Sequence, residues 1–526
     1  MSGLSTRVTR RPLTIAVTLA LGLSMGNAHA ASITVTDGGD AGTPTTCTLR
    51  QAIEAANTDA AVGACTAGAG ADNISFNAAL VNATITLGGT ELLVTDDLTI
   101  TGSGQTIDAN GASRVLNLAS STNLTASNLS ITGGATSGYN GGGGIYAYDA
   151  STLTLTACTI SGNSSSDEGG GIYMNSDNVL VVTNSIITGN TARYDGGGIH
   201  MYNRNQLTVT NSTITGNTSG GDGGGIYIND DNQLTVTNSI VTGNTAANDG
   251  GGIYVDDDSI VTINTSIIRD NTAGDEGGGI NVDDRNALTV SNSTISGNIA
   301  GREGGGIYVD DLGVVSITNT TISHNQAGQE GGGIYVDDEV SLTVRNSTIT
   351  ANHSDTAGGG IYSDATIGTI TLQNTILSGN TALGDADLGI NLYGGGASVT
   401  AAASLLGTTL SGAYPGNGNV FSNTPGLGAL ANNGGPTPTM LPLAGSPAVD
   451  AGNNALIAPG VTFDQRGAGF PRIAGGRVDI GAVEAAAASA FAPKRVPADS
   501  TWSLGLLGLL LGTLGWFGLR RRQQDL

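Results

Sequence analysis

The chain has 526 residues, of which 84 are glycine, 12% are charged and 4% are aromatic. Glycine at about 16%, against roughly 7% in an average protein, combined with 39% hydrophobic residues and no strict triplet period, excludes both collagen and disorder and leaves a folded, turn-rich chain. Forty-three acids against 19 bases, a formal charge of −24, repel phosphate backbones and anionic lipid, so nucleic acid is excluded as a partner and cations are favoured.

Residues 1–30 combine a basic start, an apolar stretch from Leu13 to Met25, and Ala28-His29-Ala30 ahead of Ala31. This is the pattern of an export signal cleaved between Ala30 and Ala31. In TTCTLRQAIEAANTDAAVGAC, Leu49, Ile53 and Ala56 line one face of a short helix, expected to cap the first turn of the repeats that follow. Cys47-Thr48-Leu49-Arg50-Gln51-Ala52 resembles the CSLREA domain, with Thr for Ser and Gln for Glu. That domain precedes β-helix repeats in secreted bacterial proteins and here would span 31–80. The resemblance, with an oxidising compartment, implies a disulfide between Cys47 and Cys65. Cys158 occupies a register filled elsewhere by Ser185, Ser212 and Ser239, which reads as a small buried residue.

The string GGGI ends at Ile145 and at every 27th residue up to Ile361. Asparagine recurs at the same interval from Asn163 to Asn352, and Asn380 then comes one residue late. Within a unit, apolar and polar residues alternate at a period of two: Ile226, Ile228, Leu234 and Val236 face inward, Tyr227, Thr235 and Thr237 outward. Each stretch is too short to form a sheet alone. Stacking equivalent strands about 4.8 Å apart turns the alternation into a continuous core. The fold class is therefore all-β, a single-stranded parallel β-helix of 27-residue rungs over 81–410, regular over about 142–378. Glycine triplets suit the turns, and the asparagines suit left-handed turn positions and side-chain stacking. The repeats resemble those of bacterial parallel β-helix surface proteins, polymorphic outer-membrane proteins among them. A calcium-binding nonapeptide roll is excluded because GGGIYVDD does not recur at nine.

Read down the stack, the array places aspartate pairs on adjacent rungs: Asp256 and Asp257, Asp283 and Asp284, Asp310 and Asp311, Asp337 and Asp338. Another acid column holds Glu168, Asp195, Asp222, Asp249, Glu276, Glu303 and Glu330. Carboxylates one rung apart repel by about 1 kcal/mol in bulk water and about 3 to 4 kcal/mol at an effective dielectric near 20. Divalent cations, above all Ca²⁺, would offset this as hard-oxygen sites; solvated turns with raised pKa are the alternative. An outward aromatic column, with Tyr227, Tyr254, Tyr308, Tyr335 and Tyr362 as its ligand-strip candidates and His200 and Asn281 interspersed, reads as a sugar-binding strip or as simple stacking. Thr-x-Thr ranks suggest ice binding, but Val181, Asn264 and Arg345 interrupt them.

Residues 411–487 carry GSPAVDAG, DQRG and DIGAVE, which resemble the choice-of-anchor Q domain of surface proteins. Asp450, Asp464, Asp479 and Glu484 with Arg466 and Arg472 are expected to form ion pairs capping the last rung. A linker at 488–499 leads to the apolar tail 500–526, long enough for one transmembrane helix ending on Arg520, Arg521 and Arg522. Through Val496-Pro497, Trp502 and those arginines the tail resembles the IPTL-CTERM sorting signals of Gram-negative bacteria, which implies an exosortase-like membrane enzyme as partner. Ala498 and Asp499 stand where that family has Thr-Leu.

Parallel β-helices include polysaccharide lyases and glycoside hydrolases, and such an enzyme is the main alternative. A lyase needs a cationic base beside its calcium carboxylates, and a glycosidase needs two aimed carboxylates of differing pKa. Between residues 140 and 365 there are 26 acids but only six arginines, scattered over different columns, and the repeat is most regular where a cleft would lie. The sequence thus assigns no catalytic residues. It reads as a non-enzymatic, exported, membrane-anchored surface protein, an adhesin or surface-layer component binding glycans or cells.

Overall fold

The computed structural model describes residues 30–138, 141–391, 396–407 and 416–485. The export signal up to His29, the linker and the sorting tail with Val496, Pro497, Trp502 and Arg520 to Arg522 lie outside these residues. Among the described residues no helix is long and apolar enough to cross a membrane.

The repeat folds as a parallel β-solenoid of about 27 residues per rung. One rung comprises Ile226–Ile228, Gln233–Thr237, Ile240–Thr242 and Thr245–Ala246. Each strand pairs in parallel with its equivalent one rung on, Tyr227 opposite Tyr254, Thr235 opposite Thr262 and Val241 opposite Ile268. The strands stack into sheets of 26, 12 and 9 strands, the five-residue and following three-residue strands of each rung sharing the largest. Inward residues such as Ile226, Leu234, Val236 and Val241 are fully buried and join one core running from Ile33 to Leu406. Each such side chain contributes on the order of 1.5–3 kcal/mol by leaving water.

The corners bury polar ladders. Asn217 donates through Nδ2 to the Ile187 carbonyl at 3.1 Å and to Asn244 Oδ1 at 3.0 Å, and its backbone N–H donates to the same Oδ1. The pattern runs from Asn163 to Asn380 and ends on Asp387, whose Oδ1 accepts from both the backbone and the side chain of Asn380. The left-handed positions expected for these asparagines fall instead on the preceding glycines, with φ of 61° at Gly189 and 62° at Gly216, because the asparagine must turn its amide into the stack. The extra residue that delays Asn380 lies between Ser363 and Thr369, since Tyr335 pairs with Tyr362 at the regular interval and Ser341 pairs with Thr369 one residue beyond it.

Helix α1 (Leu49–Thr58) begins with a capping box between Thr48 and Gln51 and buries Leu49, Ala52, Ile53, Ala55 and Ala56 against the first strands. Arg50 ties it to Asp40 at 2.9 Å and to the carbonyls of Thr90 and Glu91. Cys47 and Cys65 are joined by a disulfide, with Cα atoms 4.8 Å apart.

The C-terminal segment meets the expected end cap in part: Val420–Phe421 pairs with Leu405–Leu406 of the last rung, and the chain then leaves the end. It doubles back along the flank of the solenoid, reaching from the rung of Asn374 to that of Asn292. Gln465 accepts from Thr321 Oγ1 at 2.6 Å and donates to the Ser293 carbonyl at 2.9 Å; Ala482 N–H meets Thr348 Oγ1 at 3.0 Å, and Asn374 donates to the Asn453 carbonyl. Thr294, Thr321 and Thr348 are buried beneath it, whereas Ile186, in the same register, is 44% exposed. The physical reason is that hydroxyls and amides on these rungs hydrogen-bond the irregular chain, while Ile376 and Leu405 near the solenoid's end pack against its Ala448 and Ile480.

Candidate functional site

The three-residue strand after each glycine triplet sends its isoleucine inward and its next residue to the opposite face. At rung spacing these aromatics stack: ring centroids are 5.2 Å apart for Tyr146 and Tyr173, 5.0 Å for Tyr227 and Tyr254, and 5.0 Å for Tyr308 and Tyr335. The outward direction and the stacking agree with the sequence, and the strip is only partly open, with Tyr254 and Tyr362 half-buried. Tyr227, Tyr308 and Tyr335 are under a tenth exposed, because neighbouring rungs cover the ring faces and acid columns flank the edges. The hydroxyls reach those acids, Tyr254 donating to Asp283 at 2.8 Å and Tyr227 to Asp256 at 3.4 Å. Burial, reinforced by the acids, raises the phenol pKa of Tyr227, Tyr254, Tyr308 and Tyr335, and that of Tyr362 to about 12.

The predicted cation residues divide into three situations. Asp283, Asp284 and Asp310 converge, as do Asp310, Asp311 and Asp337, each group offering three carboxylate oxygens within 4.8 Å of one another. Asp256 and Asp257 converge with Asp230, which the pairwise sequence reading left out of the site. Arg285 holds Asp257 at 2.5 Å, Asp258 at 3.1 Å and Asp284 at 3.4 Å, so its guanidinium already neutralises part of the middle of the column. Asp338 stands apart: it accepts from the backbone and hydroxyl of Thr366, and those bonds hold its pKa below the usual carboxylate range. Burial, with neighbouring acids, pushes Asp256 and Asp337 up to about 6 and Asp310 up to about 7. An all-oxygen donor set of this charge fits a hard divalent ion, and Asp310, Asp311 and Asp337, clear of arginine, are the residues that would hold calcium.

A different group forms where Glu168 and Asp195 meet His200, with ligand atoms within 4.8 Å of one another. Column reading placed the two acids and the histidine in separate ranks, since facing residues on adjacent corners share no sequence interval that marks contact. His200 is 1% exposed and burial lowers its pKa to about 3, while Glu168 rises to about 7 and Asp195 to about 6, again by burial first. Asp195 Oδ1 accepts from Asp222 N–H at 2.8 Å, a bond repeated by Asp222 to Asp249 and by Asp249 to Glu276.

The C-terminal acids form a buried network. Arg466 pairs with Asp464 at 2.6 Å, Arg472 with Glu484 at 3.2 Å, and Asp479 accepts from the backbone of Asp450 and Ala485. These contacts staple the flanking segment, in keeping with a structural role. Cys158 is buried beside the Ala126 carbonyl, and burial raises its thiol pKa.

A family model described as "Right handed beta helix region" matches residues 47–223 and 197–404. Among solved structures, a crystal structure of the pectate lyase Pel9A aligns over 88% of this chain and 98% of its own at 13% identity, with a TM-score of 0.37. No curated protein matches the chain.

Proposed function

The chain belongs to the right-handed β-helix family, and from that premise we propose that it is an exported surface protein that binds glycans or cells without cleaving them and is stabilised by calcium at its aspartate column. One observation carries the reading: the acid–tyrosine unit repeats in register over successive rungs, giving a periodic flank in place of a single cleft with distinct acid and base. Arg285, the arginine placed among the aspartate pairs, is engaged by three carboxylates and is unsuited to act on a substrate. The expected tail processing by an exosortase-like enzyme belongs to the same reading and supplies the route to the surface.

Three measurements test it. Melts in Ca²⁺ and in EDTA should differ, with the higher midpoint in Ca²⁺; equal midpoints remove the calcium part. Purified protein on a glycan array with and without Ca²⁺ should retain ligands unchanged. New reducing ends or unsaturated products after incubation with uronate and neutral glycans would replace the binding reading with a polysaccharide-active enzyme.

A further inference from the structure

We propose that Glu168, Asp195 and His200 form a transition-metal site of the zinc type, set into the aromatic ladder and chemically distinct from the aspartate cradles. The argument begins with what the ladder needs. Stacking requires only a ring, and tyrosine supplies it on the rungs above and below. His200 stacks between Tyr173 and Tyr227 at centroid distances of 4.8 and 4.7 Å, nearly parallel to both, so its plane and the direction of its nitrogens are fixed.

Those nitrogens lack ordinary partners. Nδ1 is buried with no hydrogen bond. Nε2 points at Glu168 Oε2 from 3.5 Å, longer than the 2.7–3.2 Å usual for N–H···O. A polar ring buried without normal hydrogen bonds is costly. A metal ion on the Nε2 lone pair gives that nitrogen the partner that the long contact to Glu168 does not, while Nδ1 carries the ring proton and stays without an acceptor. The separation suits it, since two ligand atoms on a tetrahedral ion with bonds of roughly 2.0–2.1 Å lie about 3.4 Å apart.

The other donors are ready. Asp195 is oriented by the Asp222 N–H on Oδ1, which leaves Oδ2 for an ion. Two carboxylates and one neutral imidazole balance a divalent charge and leave a fourth position for water. Imidazole nitrogen selects zinc and its neighbours over calcium and magnesium. On the next rungs tyrosine takes the histidine's place, so the nitrogen ligand is confined to one level of the stack. His353, by contrast, is exposed and engaged by Asp355 and Thr381.

The test titrates Zn²⁺, and Co²⁺ as its spectroscopic substitute, into the full chain in excess Ca²⁺, so that the aspartate cradles do not compete. Wild type should bind one equivalent of Zn²⁺, and Co²⁺ should give the visible bands of a nitrogen–oxygen site of low coordination number. His200→Tyr and His200→Asn install residues that the column holds elsewhere, at Tyr227 and Asn281, so both variants retain the fold. Each should lose that equivalent and the bands, while the Ca²⁺-dependent melt stays unchanged. Equal zinc binding by wild type and His200→Tyr, or no zinc binding by wild type, overturns the proposal without touching the calcium reading.

Discussion

Buried amides at a solenoid corner act as connectors between rungs. Asn244 accepts at Oδ1 from both the backbone and the side chain of Asn217, and its Nδ2 donates to the Ile214 carbonyl and to Asn271. Truncation to alanine leaves the Asn217 donors and the Ile214 carbonyl buried and unpaired, at about 1–3 kcal/mol for each group that water cannot reach. Asn244→Ala should therefore lower the denaturant midpoint clearly, whereas Thr245→Ala on the exposed neighbour should stay within about 0.5 kcal/mol of wild type. Similar midpoints for the two would mean that the ladder is ornamental. The recurrence of this asparagine was legible in the sequence, and its side-chain stacking could be expected. Its backbone conformation could not, because the spacing alone does not tell whether glycine or asparagine takes the left-handed position in a Gly-Asn turn.

The rung as an element combines a glycine turn with an aromatic strand and two acidic edges. A Cβ on Gly251 would meet the Thr272 carbonyl carbon and oxygen at 2.5 Å and the Gly278 oxygen at 2.6 Å, all backbone that cannot step aside. Gly189 has positive φ but open space, and its register holds Asp270 and Ala351 on other rungs. Gly251→Ala should thus block or severely weaken folding, while Gly189→Ala should cost about 1–2 kcal/mol; circular dichroism and a chemical melt distinguish them. The acid edges predict a pH dependence. Aspartates whose native pKa is raised to about 6–7, from roughly 3.9 unfolded, bind protons more tightly when folded. Their contribution is complete below the unfolded value and is lost as pH rises through 6–7. His200, lowered by burial, opposes this below its unfolded value of roughly 6.5. In EDTA the melting midpoint should accordingly fall from pH 6.5 to 8, and Ca²⁺ at pH 8 should restore it; a midpoint rising over that interval would contradict the raised values. The alternation of inward and outward residues was readable at a period of two. The covering of the tyrosines was not, because it is supplied by the rungs on either side and by acids on neighbouring corners.

At the scale of the molecule, the solenoid is closed by a helix at its start and strengthened along its flank by the C-terminal segment. The acids and arginines of that segment were visible as ion pairs in the sequence, but their location was not: motifs state composition, and threonine hydroxyls, asparagine amides and an apolar patch on distant rungs decide where an irregular chain docks. Its integrity rests on Arg472, which is buried and donates to the carbonyls of Asp479 and Gly481 and to Glu484 Oε2. Burial pulls the Arg472 pKa down and pushes Glu484 up to about 7, so each is costly without the other. Removing one partner of a buried pair costs about 3–5 kcal/mol through the charge left behind. That loss should be local. The flanking segment meets the solenoid through hydrogen bonds such as those of Gln465 and Ala482 and a small apolar cluster of Ile376 and Leu405 with Ala448 and Ile480, while each rung keeps its own ladder and core. Arg472→Ala should therefore loosen residues 423–485 and spare the array: limited proteolysis should release the segment early and leave a resistant repeat fragment, and hydrogen exchange should rise at Ala482, whose N–H is held by Thr348 Oγ1, but not at Asn190 or Asn217. Cleavage of segment and array at the same rate would show instead that the flank and the solenoid fold as one cooperative unit.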